Sequence, residues 1–323
     1  MVGSHLADYL LKKTDWDIYG LIRWRSPLDN IEHLIQNINR KHRVFLKYGD
    51  LNDEGSLYYV LKDIKPDYVF HLAAQSYPKT SFNSPVDTLN TNILGTAKLL
   101  ETIYKLSIDP WIHVCSSSEV FGRVSKDQLP IDEECLFHPA SPYAISKVGT
   151  DLVGRYYAEA YGLKTISSRM FTHTGPRRGD VFAESSFAKQ ISMIEKGLIP
   201  PVVKTGNLDS LRTFSDVRDA VRAYHMMLTV NPIPGEYYNI GGTHVCKIGE
   251  MLDTLLSMST VKEIEIEVDK ERLRPIDADL QVPDITKFSK HTGWKPQISF
   301  EKTMKDLLEY WRDQVNKKQF LQR

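Results

Sequence analysis

The chain has 323 residues, of which 41% are hydrophobic and 25% are charged, and this composition excludes an intrinsically disordered protein. Its 41 Lys and Arg residues balance its 41 Asp and Glu residues, so the sequence predicts neither nucleic acid nor an anionic membrane surface as a partner. Three widely spaced cysteines and the lack of a membrane-length apolar stretch favour a cytoplasmic protein without a disulfide framework or a metal site.

Helix-like and strand-like stretches alternate along the chain up to about Arg169. Apolar residues at helical spacing predict helices over residues 4–13, 54–64, 85–106 and 141–162. Runs typical of strands cover residues 16–23, 43–50, 66–74, 111–117 and 163–170. The alternation predicts βαβ units, and therefore an α/β protein whose doubly wound parallel sheet carries helices on both faces.

After Arg169 the pattern loosens. Two stretches rich in Gly, Asn, Arg and Asp, residues 171–182 and 205–214, are typical of functional loops. Helices are expected over residues 214–228, 247–258 and 299–315, and strands over residues 235–242 and 263–269. We therefore expect a cofactor-binding sheet domain and a smaller C-terminal lobe, which covers the carboxyl ends of the strands where open parallel sheets bind ligands. The expected division is residues 1–170 and 216–242 for the sheet domain and residues 171–215 and 243–323 for the lobe.

The amino-terminal end lacks a feature that this fold normally has. A dinucleotide-binding sheet begins with a strand and a glycine-rich turn, but only Gly3 precedes the first predicted helix. Because a missing central strand would expose the backbone edges of both neighbours, we expect Met1 to be an internal residue of a longer natural chain.

Other residues indicate a dinucleotide cofactor. Arg23 and Arg25 end the second strand of such a fold, where arginines suit a ribose 2′-phosphate, so the sequence predicts NADP, with NAD as the alternative. Asp50 and Leu51 follow the next strand and could meet the adenine amine. Small residues at the end of a buried strand would let the backbone approach the cofactor. The predicted cofactor contacts are Gly3, Arg23, Arg25, Asp50, Leu51, Leu72, Ala73, Ala74, Tyr143 and Lys147.

Four side chains suited to acid–base chemistry are expected in one crevice. Tyr143 and Lys147 lie one helical turn apart and therefore share a helix face. A phenol is a poor base at neutral pH, but a nearby ammonium or an oxidised nicotinamide lowers its pKa. Ser117 and Glu119 follow a sheet strand at its carboxyl end, where the helix of Tyr143 also begins. The sequence therefore predicts a catalytic set of Ser117, Glu119, Tyr143 and Lys147.

Several longer motifs carry a resemblance to a known family. They are "GDLND", "HLAAQSY", "SSSEVFG", "SPYAISK", "GPRRGDVF", "GNLDSLRTFSDVRD" and "TGWKP". With them, the chain resembles the extended short-chain dehydrogenase/reductase superfamily, which has a Rossmann sheet, and within it the GDP-mannose 4,6-dehydratases. Two positions depart from the family pattern: Ser117 stands where these enzymes have Thr, and Thr172 where they have Asn.

The resemblance implies a redox-neutral dehydration of a GDP-hexose with bound NADP. Tyr143 would take the proton of the C4 hydroxyl, Ser117 would position the C4 oxygen, and Glu119 would remove the C5 proton and then help the C6 hydroxyl to leave. Arg212 and Arg274 are the candidates for the diphosphate, and Arg177 and Arg178 could serve substrate, cofactor or a neighbouring subunit. The full set of implied substrate contacts is Ser76, Ser118, Thr172, Arg177, Lys189, Asn207, Arg212 and Arg274.

Alternatives remain open at this point. A reductase of GDP-4-keto-6-deoxy sugars is the second candidate and an epimerase the third, and a catalytically inactive, NADP-binding regulatory protein is the candidate of another class. The sugar could be mannose, a manno-heptose or N-acetylglucosamine. By analogy, the protein is expected to form a homodimer or homotetramer through the long helices at about 85–107 and 142–161.

Overall fold

Parallel strands form the centre of the molecule. The structure is a computed structural model that describes residues 1–273 and 278–317. Strands β1 (Ile18–Ile22) and β2 (Val44–Tyr48) form one parallel pair. Strands β3 (Tyr68–His71), β4 (Trp111–Cys115), β5 (Lys164–Met170) and β9 (Tyr237–Ile240) form a four-stranded parallel sheet in the order β3-β4-β5-β9. This confirms the predicted α/β class, whereas the strand expected before Met1 stays a prediction.

Helices cover both faces of this sheet. In chain order they are α1 (Val2–Lys13), α2 (Ile35–Asn39), α3 (Glu54–Ile64), α4 (Pro78–Asn83), α5 (Pro85–Leu89), α6 (Gly95–Lys105), α7 (Pro142–Tyr161), α8 (Ala183–Glu195), α9 (Val217–Thr229), α10 (Ile248–Ser257), α11 (Thr286–Thr292) and α12 (Phe300–Lys317). Helices α3, α6 and α7 bury a cluster on one face that includes Leu57, Leu100 and Val114. On the other face α9 packs Tyr224 against Ile166, so apolar burial fixes the layered order.

The sequence around α7 explains why this helix begins and ends where it does. The Ser141 hydroxyl accepts a hydrogen bond from the Ala144 amide at 3.0 Å, and Pro142 occupies the first turn, where its missing N–H is no loss. The helix ends at Gly162, whose φ of 69° lies in the left-handed region. These signals place Tyr143 and Lys147 in the first two turns.

The remaining strands belong to smaller sheets. Strand β8 (Leu211–Asp216) pairs with β6 (His173–Thr174), β10 (His244–Lys247) and β12 (Leu280–Gln281), and β7 (Val202–Thr205) pairs with β11 (Glu265–Val268). The expected loop at 205–214 is therefore partly wrong, because its second half enters β8. Helices α8, α10 and α12 enclose a separate apolar core with Phe187 and Leu252. The exact domain boundaries stay a prediction.

A buried ion pair ties α7 to β5. The Arg169 guanidinium donates to both carboxylate oxygens of Asp151, at 3.0 Å and 3.1 Å, and to the Glu133 carbonyl oxygen at 2.7 Å. Both charged residues are essentially inaccessible to solvent. The bidentate geometry satisfies the charges that burial removes from water. The described residues contain no helix with the length and apolar character that crossing a membrane requires.

We predict that Asp151→Ala lowers the free energy of unfolding by about 3–5 kcal/mol, because it leaves the Arg169 charge buried without a partner. The matched control is Asp63→Ala, which breaks the exposed pair of Lys47 and Asp63 and should cost less than about 1 kcal/mol. Urea denaturation of both variants measures the difference. Equal losses would contradict the structural role of the buried pair.

Candidate active site

A sharp turn after β4 carries two of the predicted catalytic residues. The Ser117 hydroxyl accepts a hydrogen bond from the Glu119 amide at 3.2 Å and so begins a single 3₁₀ turn over Ser118–Val120. Gly122 closes the turn with a φ of 54°, and a Cβ at this position would clash with the carbonyl oxygen of His138. The backbone therefore fixes Ser117 and Glu119 at the carboxyl end of the sheet.

Tyr143 and Lys147 face this turn from α7. The Ser117 side chain interacts with the Tyr143 phenol and lowers the phenol pKa. The Lys147 ammonium donates to the Cys115 carbonyl oxygen at 2.7 Å and lies 6.0 Å from the centroid of the Tyr143 ring. Ser117, Tyr143 and Lys147 are each at least 91% buried. The structure thus brings three of the four predicted catalytic residues into one buried crevice, with Glu119 two residues beyond Ser117.

The crevice contains opposing influences on the Tyr143 phenol. Burial raises its pKa, while the interaction with Ser117 and the positive charge of Arg178 lower it. The nearby Glu119 carboxylate raises the phenol pKa further. Burial also lowers the pKa of the Lys147 ammonium. Activation of the phenol therefore depends on cationic charge next to it, and Arg178 supplies part of that charge.

Sequence reasoning assigned Arg178 only loosely and missed His173. Arg178 is held by the Glu184 carboxylate at 3.2 Å, and its guanidinium lies 3.4 Å from the centroid of the Phe182 ring. Burial, together with Arg178, lowers the pKa of His173 to about 3, so this imidazole is neutral at physiological pH. Both residues lie in the stretch 171–182, which the sequence predicts to be a functional loop. The Gly-Pro-Arg-Arg-Gly segment of this stretch contains Arg178 and is the sequence feature that points to it.

The Glu119 carboxylate lies near a second cation of the site, Arg212, in addition to Arg178 near Tyr143. The Arg212 guanidinium, from β8, lies 3.8 Å from the Glu119 carboxylate, and both side chains are less than 15% exposed. Arg212 also lines a cavity of about 1020 Å³ next to the crevice. Among the described residues, the cavity is lined by five cations, four carboxylates and several apolar side chains. The cations are Lys79, Lys189, Lys204, Arg212 and Arg272, the carboxylates are Asp180, Glu267, Asp269 and Glu271, and the apolar residues include Phe187, Met193, Ile199 and Val202. This mixture suits an anionic ligand with an apolar or aromatic part.

The predicted substrate residues fall into two groups. Lys189, Asn207 and Arg212 line the cavity, and Lys189 also donates to Asp180 at 2.8 Å. Ser76, Ser118, Thr172 and Arg177 are not among the residues that line it. Arg177 instead points to helix α1, where it donates to Asp8 at 2.6 Å. Arg274 lies outside the described residues.

The predicted cofactor residues lie along the carboxyl edge of the sheets. Arg23 and Arg25 are exposed beyond the end of β1, and Asp50 accepts a hydrogen bond from the Asn52 amide at 2.9 Å. Leu72, Ala73 and Ala74 follow β3, and Gly3 lies beside Leu72, since a Cβ on Gly3 would be 4.0 Å from its side chain. The Leu51 side chain is buried between α3 and α6, so only its backbone could face a ligand.

This donor set fits a nicotinamide dinucleotide phosphate. Exposed guanidinium groups at the end of β1 match a 2′-phosphate, and the Lys147 ammonium and the Tyr143 phenol match a ribose next to a reacting ring. The arginines after β1 and the residues after β3 follow the carboxyl ends of strands in two parallel sheets, β1-β2 and β3-β4-β5-β9.

We predict that Gly122→Ala destabilises the protein more than Gly162→Ala does. Both positions have a positive φ, but a Cβ at Gly162 has no atom within 4 Å, whereas one at Gly122 clashes with His138. The clash should add about 1–3 kcal/mol to the loss of unfolding free energy and should displace the Ser117–Glu119 turn. Chemical denaturation of both variants measures this difference, and equal losses would show that the turn is not sterically fixed.

Comparison with known proteins identifies the family of this chain. A family model described as GDP-mannose 4,6 dehydratase matches residues 1–307. The GDP-mannose 4,6-dehydratase of Yersinia enterocolitica is 30% identical over 95% of this chain and 90% of its own, and the GDP-6-deoxy-D-mannose reductase of Pseudomonas aeruginosa is 33% identical over 77% and 82%. The solved structure of RMD from Pseudomonas aeruginosa complexed with NADPH superposes with a TM-score of 0.82, at 29% identity over 98% of this chain and 96% of that chain.

Proposed function

Because this chain belongs to the GDP-mannose 4,6-dehydratase family, we propose that it removes water from a GDP-hexose and forms the GDP-4-keto-6-deoxy sugar. The observation that carries the proposal is the burial of Ser117, Tyr143 and Lys147 in one crevice, with Glu119 between this crevice and a cation-lined cavity. The nucleotide sugar would place its diphosphate in the cavity and its sugar in the crevice.

NADP is the proposed cofactor, with NAD as the alternative. Arg23 and Arg25 would hold the 2′-phosphate, Lys147 a ribose hydroxyl, and the backbone after β3 the middle of the dinucleotide. The NADPH in the related Pseudomonas aeruginosa structure supports this assignment. When bound, the nicotinamide supplies hydride acceptance and return, so no external reductant is consumed.

Oxidation at C4 requires a base for the hydroxyl proton. Tyr143 is the proposed base, and Ser117, which interacts with the phenol and lowers its pKa, would hold the C4 oxygen beside it. The positive charge of Arg178 opposes the effect of burial on the phenol pKa, and the Lys147 ammonium lies 6.0 Å from the centroid of the Tyr143 ring. The resulting C4 carbonyl would make the C5 proton acidic.

Glu119 is proposed to carry out both proton steps of the elimination. Its carboxylate would take the C5 proton and, once protonated, would give a proton to the C6 hydroxyl as that group leaves as water. A single carboxyl that acts first as base and then as acid balances the protons of the elimination. The proton that Tyr143 takes from the C4 hydroxyl balances the proton added at C5 when the hydride returns to C6. Its place between Ser117 and the cavity is consistent with this role.

The substrate class follows from the cavity and the family. Arg212, Arg272 and Lys189 are the proposed anion partners for the diphosphate and nucleotide, and Asn207 lines the same wall. Mannose is the sugar in the names of the related dehydratases. N-acetylglucosamine and a manno-heptose remain alternatives because Thr172 departs from the family's Asn.

A second candidate function is reduction of a GDP-4-keto-6-deoxy sugar. One observation favours it: the GDP-6-deoxy-D-mannose reductase of Pseudomonas aeruginosa is 33% identical over 77% of this chain. The whole-length family match favours the dehydratase. The division into a cofactor domain and a sugar-nucleotide lobe and the cytoplasmic location are retained as predictions.

We also propose a homodimer, or a tetramer built from it, through α6 and α7. The two helices contact each other and carry exposed large apolar side chains: Tyr104 on α6, Leu94 immediately before it, and Ile145, Leu152, Tyr156 and Tyr161 on α7. An apolar surface of this kind on two adjacent helices suits a four-helix bundle with a second copy.

A direct assay tests the dehydratase proposal. The protein is incubated with GDP-mannose and NADP⁺ without reduced cofactor, and mass spectrometry follows the loss of one water. The proposal expects a GDP-4-keto-6-deoxy product with no net reduction of NADP⁺. Absence of product here, combined with turnover of a GDP-4-keto-6-deoxy sugar and NADPH, would identify a reductase instead.

The variant Glu119→Gln tests the elimination step. It should lower the rate of water release by at least about 100-fold, because general acid–base groups contribute at least this factor, while C4 oxidation continues. Single-turnover absorbance of the reduced nicotinamide and the mass of the product separate the two steps. Water loss at the wild-type rate would refute the role of Glu119.

The variant Leu152→Arg tests the helical interface. A charge buried in the interface core should convert the oligomer to monomers in sedimentation velocity. Leu198→Arg is the matched control, because Leu198 is similarly exposed but follows α8, away from α6 and α7. Dissociation in both variants, or in neither, would contradict an interface on α6 and α7.

A further inference from the structure

Arg212 connects the anion-binding cavity to the proposed catalytic carboxylate. Its Nη1 atom lies 3.8 Å from Oε1 of Glu119, and the same side chain lines the cavity wall. Strand pairing fixes its backbone, since β8 is hydrogen-bonded to β10 at Cys246 and to β12 at Gln281. The guanidinium is therefore placed to interact both with the Glu119 carboxylate and with an anionic ligand held in the cavity.

We propose that Glu119 and the substrate diphosphate compete for Arg212, so that diphosphate binding releases Glu119 for catalysis. This inference rests on the proposed function, because it takes the diphosphate of a GDP-sugar as the competing anion. Arg212 would then be a positioning residue that acts through Glu119, in addition to its contact with the ligand.

Charge and geometry favour the diphosphate in this competition. A diphosphate carries more negative charge than a carboxylate and offers pairs of oxygens that match the guanidinium fork. The Arg212–Glu119 contact of 3.8 Å is long for a charge-assisted hydrogen bond, which leaves it weaker than a bidentate phosphate contact. Arg272 on the same wall would hold the diphosphate from a second side.

The competition would couple binding to chemistry. While Glu119 is paired with Arg212, one of its carboxylate oxygens contacts the guanidinium on the cavity side. Once the diphosphate engages Arg212, Glu119 is free to turn its oxygen to the C5 proton in the crevice. Binding energy from the non-reacting nucleotide part would in this way be used at the reacting carbon.

The coupling can be measured without any turnover. GDP, which has the diphosphate but no sugar, is titrated by calorimetry into wild type, Glu119→Gln, Arg212→Gln and the double variant. Removal of the competing carboxylate should tighten GDP binding by about 3- to 10-fold, and this gain should disappear in the Arg212→Gln background. A purely structural role of either residue would weaken GDP binding, not tighten it.

Arg272→Gln is the matched control. Arg272 lines the same cavity and contacts Ser186 and Asp269. Arg272→Gln should weaken GDP binding. In this background, Glu119→Gln should still increase the affinity for GDP by the same factor as in wild type. If Arg212→Gln does not fold, Arg212→Lys replaces it; the ammonium lacks the guanidinium fork, so the gain should fall well below that in wild type.

The outcomes separate the two proposals. If Glu119→Gln increases the affinity for GDP by the same factor with and without Arg212, the increase reflects the general removal of negative charge. This result would overturn the proposed competition for Arg212. No gain in Glu119→Gln would overturn it as well, while leaving the dehydratase proposal intact. Failure of the wild-type protein to bind GDP would overturn both.

Discussion

The hydrogen bond from the Lys147 ammonium to the Cys115 carbonyl oxygen is the contact on which the site depends. It joins the catalytic helix α7 to the carboxyl end of β4 at 2.7 Å, immediately before the turn that carries Ser117 and Glu119. A buried ammonium is stable only with such a partner, and burial lowers its pKa even so. Together with the Arg169–Asp151 pair one turn further along α7, it fixes the phenol of Tyr143 against Ser117.

The site has cations on both sides. Arg178 lies on the Tyr143 side, where its charge lowers the phenol pKa, and Arg212 lies on the Glu119 side next to the cavity. The proposed acid–base groups therefore have one cation, Arg178, near the phenol and another, Arg212, near the carboxylate at the cavity wall. Because the chain has no net charge, this field comes from local placement and not from an excess of basic residues.

Local patterns were sufficient to predict the sheet and the proximity of Ser117, Tyr143 and Lys147, whose catalytic roles remain proposals. The helical face shared by Tyr143 and Lys147 depends on spacing alone, and the position of Ser117 follows from the end of β4. Features that depend on long-range pairing were not predictable. The residues of β8 read as a loop because their strand character comes from pairing with β6, β10 and β12. The proximity of Arg178 to Tyr143 is likewise a tertiary contact between residues 35 positions apart in sequence.

The most direct test of the account uses GDP-mannose that carries deuterium at C4. If Tyr143, Ser117 and Glu119 act around one sugar in one crevice, the label should leave C4 and reappear at C6 of the dehydrated product, within the same molecule. Nuclear magnetic resonance of the product locates the label. A product whose deuterium has been lost to solvent or to free reduced cofactor would contradict the central claim.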